Sequence, residues 1–280
     1  MPVGFLIGKM IDQLPIHSDT KPKKKLGQNF LINDHVARRI VEQIDLLPSD
    51  TVLEIGAGKG ALTKYLLKKC KEVIAVEIDQ RMCRFLKENF SDYANLRIVS
   101  QDILKLDLKK YAHKGTIKIA GNIPYHLTAP IVSLLVDNRN SISTAILTVQ
   151  KEVAQRICAK PDTKDWSLLS ILIQLYADTK LLFILKPGWF YPPPKVHSAV
   201  VRLSFLHNPK VKIEDMEHFF KIARMMFQQK RKMIAGSLAF GTRLSKPELK
   251  QKLEKAGIDF SLRPQALSLE KLAIISSILK

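Results

Sequence analysis

Several features that define other protein classes are scarce in this chain of 280 residues. Its three cysteines, Cys70, Cys83 and Cys158, form no C-x-x-C pair, so neither a disulfide framework nor a zinc site is indicated. The most apolar stretch, 168–185, is broken by charged and polar residues and is no candidate membrane span. Residues 1–18 have no basic leader and no clear small-residue cleavage site. These absences predict a cytoplasmic, reduced protein that does not cross a membrane and holds no metal.

Acidic residues are also few relative to basic ones. The chain has 45 Lys and Arg against 26 Asp and Glu, a formal net charge of +19, and its pI is near 9.8. One interpretation of this excess of positive charge is that it serves only to keep the protein soluble. An excess of this size favours a polyanionic partner, either nucleic acid or an acidic membrane surface.

The order of apolar patterns predicts three segments. Residues 1–22 have the composition of a mobile basic tail. In 23–208 short β-rich runs alternate with helical patterns, which indicates an α/β domain with a parallel sheet. Its predicted strands are 51–55, 72–76, 96–99, 117–120 and 143–149, with a terminal hairpin of 181–185 and 199–205. After residue 208 only helical patterns remain, at 214–227, 233–239, 246–256 and 268–279, which predicts a small helical domain over 209–280.

A glycine-rich turn follows the first predicted strand. The residues E-I-G-A-G-K-G-A at 54–61 allow the backbone to approach a ligand closely, and they satisfy the dinucleotide pattern G-x-G-x-x-G/A, with Glu77 about 20 residues further on. This pattern alone is compatible with an NAD-dependent oxidoreductase. Glu54 before the first glycine, a third glycine at position 60 and Asp102 after the third strand instead resemble class I (Rossmann-like) methyltransferases that use S-adenosylmethionine.

The four residues Asn122, Ile123, Pro124 and Tyr125 follow the predicted strand 117–120. Asn, Pro and Tyr are common in turns that end strands, and on its own this run could be such a turn. The same residues also supply an amide acceptor, a restricted backbone whose carbonyl can project, and an aromatic face. Such a set suits a flat molecule whose amino group is to react.

Together these motifs resemble the family of small-subunit ribosomal RNA adenine dimethyltransferases. The resemblance extends from Lys24 to the C-terminus. The blocks that carry it, besides the glycine turn, are G-Q-N-F-L at 27–31, G-N-I-P-Y at 121–125, Q-K-E-V at 150–153, F-Y-P-P-P-K-V at 190–196, S-A-V-V-R-L at 198–203, F-Q-Q-K-R-K at 227–232 and R-P-Q-A-L-S at 263–268.

The resemblance implies specific roles. It implies S-adenosylmethionine as cofactor and dimethylation of two adjacent adenines in the 3′-terminal hairpin loop of small-subunit ribosomal RNA. This activity would act on immature small subunits and be linked to their maturation. A monomer is expected, although the resemblance does not imply it. The expected cofactor residues are Asn29, Leu31, Gly56, Gly58, Glu77, Asp102 and Asn122. The expected catalytic residues are Asn122, Ile123, Pro124 and Tyr125, with Phe190 as a second stacking platform for the base. The expected RNA-binding residues are Lys23, Lys24, Lys25, Lys195, Lys230, Arg231 and Lys232.

Three alternatives stay open at this point, and the NAD-dependent oxidoreductase indicated by the glycine pattern is one of them. Large-subunit adenine methyltransferases of the macrolide-resistance type share Q-N-F-L and often N-I-P-Y-H-L, whereas the triple proline and the basic C-terminal block favour the small-subunit branch. A non-catalytic RNA-binding assembly factor would also account for the charge.

Overall fold

The computed structural model describes residues 21–112, 115–229, 232–242 and 244–280. In these ranges nine strands form two sheets. The strands are β1 (Phe30–Leu31), β2 (Thr51–Ile55), β3 (Glu72–Glu77), β4 (Leu96–Ser100), β5 (Ile117–Asn122), β6 (Ile142–Gln150), β7 (Ala177–Leu185), β8 (Phe190–Tyr191) and β9 (Ser198–Phe205).

Ten α-helices accompany the strands in the described ranges. They are α1 (Asp34–Glu42), α2 (Thr63–Leu66), α3 (Gln80–Asn89), α4 (Thr128–Asp137), α5 (Lys151–Ile157), α6 (Leu168–Gln174), α7 (Met216–Gln228), α8 (Ile234–Gly241), α9 (Lys246–Lys255) and α10 (Leu269–Ile278). Capping side chains define where several of these helices begin: the Asn33 side chain accepts the Val36 N–H, and the Asp79 side chain accepts the Arg81 N–H. No helix in the described ranges is long and apolar enough to cross a bilayer.

The main sheet has seven strands in the order β4-β3-β2-β5-β6-β9-β7. The first five are parallel, and β9 runs antiparallel to both β6 and β7. The predicted strands and the terminal hairpin are therefore confirmed. Several strands run further than predicted, and this extension brings Glu77 and Asn122 into β3 and β5.

Each parallel strand contributes side chains to two cores. Leu53 and Ile74 belong to a cluster on one face of the sheet, and Val52 and Val73 belong to a cluster on the other. A parallel sheet covered on both faces requires near-continuous apolar strands, and β2 and β3 have them. Their carboxyl ends open at one edge, which is where ligands bind in sheets of this kind.

The C-terminal helices α7 to α10 pack in a third cluster, which also contains residues from before position 208. Trp166 is buried there, and its Nε1–H donates to the carbonyl of Leu267 at 3.0 Å. The Asp162 N–H donates to the Gln265 carbonyl at 2.7 Å. The helical segment is confirmed, and its core is shared with the region around α6; a domain boundary at residue 208 stays a prediction.

Candidate active site

A cleft opens at the carboxyl ends of β2, β3 and β5, where the glycine-rich turn lies. Gly56, Gly58 and Gly60 have φ angles of +69°, +54° and +77°, a region that disfavours any side chain. A Cβ on Gly58 would lie 3.0 Å from the ring of Phe30, so this glycine allows the N-terminal residues to pack onto the turn. The turn thus brings backbone N–H groups and an aromatic ring to the edge of the cleft.

Glu77 is held at the end of β3 by two backbone amides. The Gly58 N–H donates to Oε2 and the Asp79 N–H donates to Oε1, both at 2.9 Å. The carboxylate is only 5% exposed, and burial raises its pKa. Each oxygen keeps a further lone pair, so the group can accept hydrogen bonds from two neighbouring hydroxyls.

A second carboxyl group, Glu54, lies in the core beneath the turn. It is 2% exposed, and its Oε2 lies 2.6 Å from the Thr63 hydroxyl. Burial, and to a smaller extent the nearby charge of Glu77, raises the pKa of Glu54 to about 8. Glu54 is therefore mainly protonated at neutral pH, and the buried region avoids two adjacent negative charges.

Residues 23–31, which we call the N-terminal arm, lie along the cleft and are anchored by Asp79. The buried Asp79 carboxylate accepts from Gln28 Nε2 at 3.1 Å and from Lys23 Nζ at 3.4 Å. Arg81 Nη2 contacts it at 2.6 Å, and the hydrogen bonds from Arg81 hold the pKa of Asp79 well below its usual range. The N-terminal arm is thus bound to the short segment between β3, which ends at Glu77, and helix α3.

The side chain of Asn122 is oriented by the N-terminal arm. Its Nδ2 donates to the backbone carbonyl of Asn29 at 2.8 Å. A carbonyl can only accept, so the NH₂ group of Asn122 must face Asn29. The amide oxygen of Asn122 is therefore left as an acceptor at the cleft.

The next two residues offer carbonyls with different partners. The Pro124 carbonyl accepts the Leu127 N–H at 2.9 Å. The Ile123 N–H donates to the Thr148 carbonyl at 3.0 Å, and no donor in the described ranges reaches the Ile123 carbonyl. Of these two backbone carbonyls, that of Ile123 is thus the one whose hydrogen-bonding capacity is free.

Tyr125 forms a partly exposed aromatic wall of the same cleft. Its hydroxyl lies 2.7 Å from the hydroxyl of Ser198 on β9. Burial raises the pKa of Tyr125, so it stays a neutral phenol at physiological pH. The hydrogen bond fixes the ring at the side of Asn122.

The structure brings most of the predicted cofactor residues together. Asn29, Gly56, Gly58, Glu77 and Asn122 all line the cleft. Asp102 lies between two residues that line it, and its Oδ1 accepts the Leu104 N–H at 3.0 Å.

Two of the predicted residues have buried side chains instead. Leu31 is 7% exposed and Phe190 is 2% exposed, and the two are register partners in the small β1-β8 sheet. Both belong to the second core cluster and neither lines the cleft. Phe190 therefore presents no open ring face to a base in this conformation, contrary to expectation, because its short strand pairs with β1 and its ring packs in the second core cluster.

The predicted RNA-binding lysines are on the surface where the structure describes them. Lys24, Lys25, Lys195 and Lys232 are exposed. Lys23 is also exposed, but its ammonium group is paired with Asp79. Lys230 and Arg231, and most of the predicted tail 1–22, lie outside the described residues.

Sequence reasoning did not identify Asp79, Ser198 or Phe30 as site residues. Asp79 could have been recognised as a helix cap two residues after Glu77, although its bonds to Lys23 and Gln28 are long-range and leave no local signal. No group of His, Cys, Asp and Glu in the described ranges could hold a metal ion.

The chain is similar to a well-defined set of proteins. The model of the family "Ribosomal RNA adenine dimethylase" matches residues 19–279. A protein named ribosomal RNA small subunit methyltransferase A from Clostridium acetobutylicum is 37% identical over 254 residues, which covers 90% of this chain and 92% of that protein. The protein of the same name from Geobacter metallireducens is 39% identical over 260 residues, which covers 91% of this chain and 94% of that protein.

Two solved structures share the fold along most of their length. A dimethyladenosine transferase from Plasmodium falciparum superposes with a TM-score of 0.73 at 26% identity, covering 88% of this chain and 95% of that chain. The 23S rRNA methyltransferase ErmE superposes with a TM-score of 0.71, also at 26% identity, covering 90% of this chain and 99% of that chain. Structural similarity alone thus does not separate the small-subunit branch from the large-subunit branch.

Proposed function

The chain belongs to the ribosomal RNA adenine dimethylase family, and on that premise we propose that it transfers methyl groups from S-adenosylmethionine to the 6-amino groups of two adjacent adenines near the 3′ end of small-subunit ribosomal RNA. The observation that carries the proposal is the fixed orientation of Asn122, whose amide oxygen is left as an acceptor beside an aromatic wall. The small-subunit choice is supported by the names of relatives at 37–39% identity.

The cleft has the donor and acceptor groups that the cofactor requires. Glu77 has two fixed oxygens for the pair of ribose hydroxyls, and Asp102 has a carboxylate for the adenine amine. Gly56 and Gly58 leave room for the methionine portion to approach the backbone. S-adenosylmethionine, when bound, supplies an electrophilic methyl group on a positively charged sulfur.

The chemical task of the protein is to make an adenine amine nucleophilic. The lone pair of this amine is delocalised into the ring, so the flat amine attacks poorly. Acceptors that bind both amine hydrogens favour a pyramidal nitrogen and hold it in line for transfer. The Asn122 Oδ1 and the Ile123 carbonyl are the two acceptors with free capacity, and they come from adjacent positions.

Proton transfer needs no dedicated base in this scheme. Methylation produces a cationic nitrogen, whose proton is acidic enough to leave to solvent through the open side of the cleft. Glu54 and Glu77 are both engaged in structural hydrogen bonds. The residues that act on the amine therefore work by position and by accepting hydrogen bonds.

The target adenine must leave its stack before it can react, at a cost of a few kcal/mol. Stacking on an aromatic side chain returns roughly 1–3 kcal/mol per base. Tyr125, held by Ser198 beside Asn122, is a cleft-lining ring that can make this contact. Phe190 can serve as a second platform only if the β1-β8 pair separates, because its ring is otherwise buried.

A quantitative methylation assay tests the proposal. Purified protein is incubated with immature small ribosomal subunits and methyl-labelled S-adenosylmethionine, and dimethyladenine is measured after RNA digestion. Asn122→Ala should reduce the rate at least 10²–10³-fold, the usual cost of losing one preorganised polar group. RNA affinity should be little changed, because this side chain contacts one base.

Matched controls complete the design. Asn140→Ala makes the same substitution at an exposed position and should retain activity. Large subunits as substrate test the macrolide-resistance alternative, and titration with NAD tests an oxidoreductase. Full activity in Asn122→Ala, or methylation of large subunits alone, would overturn the proposal.

A further inference from the structure

A second concave surface lies among the C-terminal helices, away from the cleft. It is a groove of about 790 Å³, a size typical of ligand sites. Its lining comes from the residues just before α8, from α8 and α9, and from the segment after α9, and includes Lys232, Gly236, Lys246, Lys250, Phe260 and Arg263. We refer to it as the C-terminal groove.

The C-terminal groove combines four cations with an apolar floor. Lys232, Lys246, Lys250 and Arg263 are all exposed, and none of the described lining residues is acidic. Lys246 and Lys250 are four residues apart on α9 and so project from the same face. The lining therefore favours a ligand with several negative charges.

An exposed aromatic residue extends this surface. Phe240 is 80% exposed, which is unusual for a phenylalanine. It lies four residues after Gly236, so both are on the same face of α8. The Lys232 ammonium lies 6.0 Å from the centre of its ring, and that of Lys250 lies 4.6 Å from the centre of the Phe260 ring. Each ring is thus paired with a cation.

We propose that the C-terminal groove binds an unpaired nucleotide of the RNA substrate, whose base stacks on the exposed ring of Phe240 while its phosphates contact the surrounding lysines and arginine. Aromatic rings beside cations are the combination that single-stranded nucleic acids require. A fully paired duplex hides its base faces and can use only the cations. The inference rests on the proposed RNA substrate, but it concerns a second contact that takes no part in methyl transfer.

Gly236 provides a direct way to block the groove. A Cβ at this position would meet no atom within 4 Å, and its φ is not in the left-handed region, so a side chain there projects into open space without strain. Gly236→Trp should fill the groove, whereas Gly236→Ala adds only a methyl group. Phe240→Ala removes the exposed ring without opening a cavity, because that ring is not part of the core.

Fluorescence anisotropy with two labelled RNAs tests the proposal. One is a 12-nucleotide single strand of uridine and cytidine, which has no adenine for the cleft, and the other is a 12-base-pair duplex. Phe240→Ala and Gly236→Trp should each weaken binding of the single strand roughly 5- to 150-fold, the equivalent of one lost stack. Phe240→Ala and Gly236→Trp should both bind the duplex with an affinity within about twofold of the wild type. Gly236→Ala should bind either RNA with an affinity within about twofold of the wild type.

Salt dependence separates stacking from charge. Lys246→Ala should lower the log-log salt slope for the single strand by about 0.7, while Phe240→Ala leaves the slope unchanged. Lys68→Ala, at an exposed lysine that does not line the groove, is the charge control. Equal affinity of all variants for the single strand would refute the inference, as would an equal loss for the duplex. Because the pyrimidine probe cannot be methylated, these outcomes are independent of the methylation assay.

Discussion

The buried carboxyl group of Glu54 should make the stability of the protein depend on pH. Its pKa is about 8 in the folded protein, whereas the ordinary pKa of a glutamate side chain is 4.5. Between these pH values the folded state binds one more proton than the unfolded state, so the free energy of unfolding falls as pH rises, by about 1.4 kcal/mol per unit. Below pH 4.5 the group has no effect, and above pH 8 the full cost of about 5 kcal/mol applies.

Glu54→Gln should remove this dependence. Glutamine has nearly the same shape, is neutral at every pH and can still accept the hydrogen bond from Thr63 through its amide oxygen. The variant and the wild type should therefore have similar stability near pH 5, and the variant should be more stable by several kcal/mol at pH 8.5.

Urea unfolding at pH 5, 7 and 8.5 measures the effect, with the fluorescence of Trp166 and Trp189 as the signal. Titrating groups other than the neighbouring Glu77 contribute equally to both proteins, so the difference between the two curves reports Glu54 together with its coupling to Glu77. Glu88→Gln, the same change at an exposed position, should show no pH-dependent difference. Parallel curves for the wild type and Glu54→Gln across this range would refute the reasoning.

Two further substitutions test the surroundings of the cleft. Asp79→Asn should weaken the contacts to Lys23 and Gln28. Limited proteolysis should then cut the N-terminal arm faster, and calorimetry should show weaker binding of S-adenosylmethionine. An unchanged rate of cleavage would contradict the anchoring role of Asp79. Gly60→Ala should destabilise the protein by about 1–3 kcal/mol in thermal unfolding, because its Cβ would lie 2.5 Å from the Phe90 ring at a φ of +77°; an unchanged melting temperature would show that the turn relaxes freely.

The parallel strands were predictable because each is a short apolar run that must be covered on both faces. The ends of the strands were harder to predict, because the hydrogen-bonded ladder of the sheet continues through polar residues such as Glu77 and Asn122. The helix that follows the glycine-rich turn covers only Thr63–Leu66, because Gly60 is still part of the left-handed turn. Periodicity therefore located the strands, and hydrogen bonding set where they end.

Long-range pairings account for most of what the sequence did not predict. The strands β1 and β8 have two residues each, too few for any periodicity, yet their pairing buries Phe190. Helix α6 is an apolar run whose pattern does not distinguish a helix from a strand. The residue types of the cleft could be assigned to individual motifs, but the contact between Asn29 and Asn122 spans 93 positions and has no local pattern.

The hydrogen bond from Asn122 to Asn29 also constrains the timing of successive reactions. Dimethylation consumes two cofactor molecules per adenine, so spent cofactor must leave and fresh cofactor must enter between the transfers. Any opening of the N-terminal arm that lifts Asn29 also releases the amide of Asn122 to rotate. Because Asn29 and Asn122 both line the cleft, an arm position that opens the cleft at Asn29 is also one in which the Asn122 amide is no longer held in place for methyl transfer.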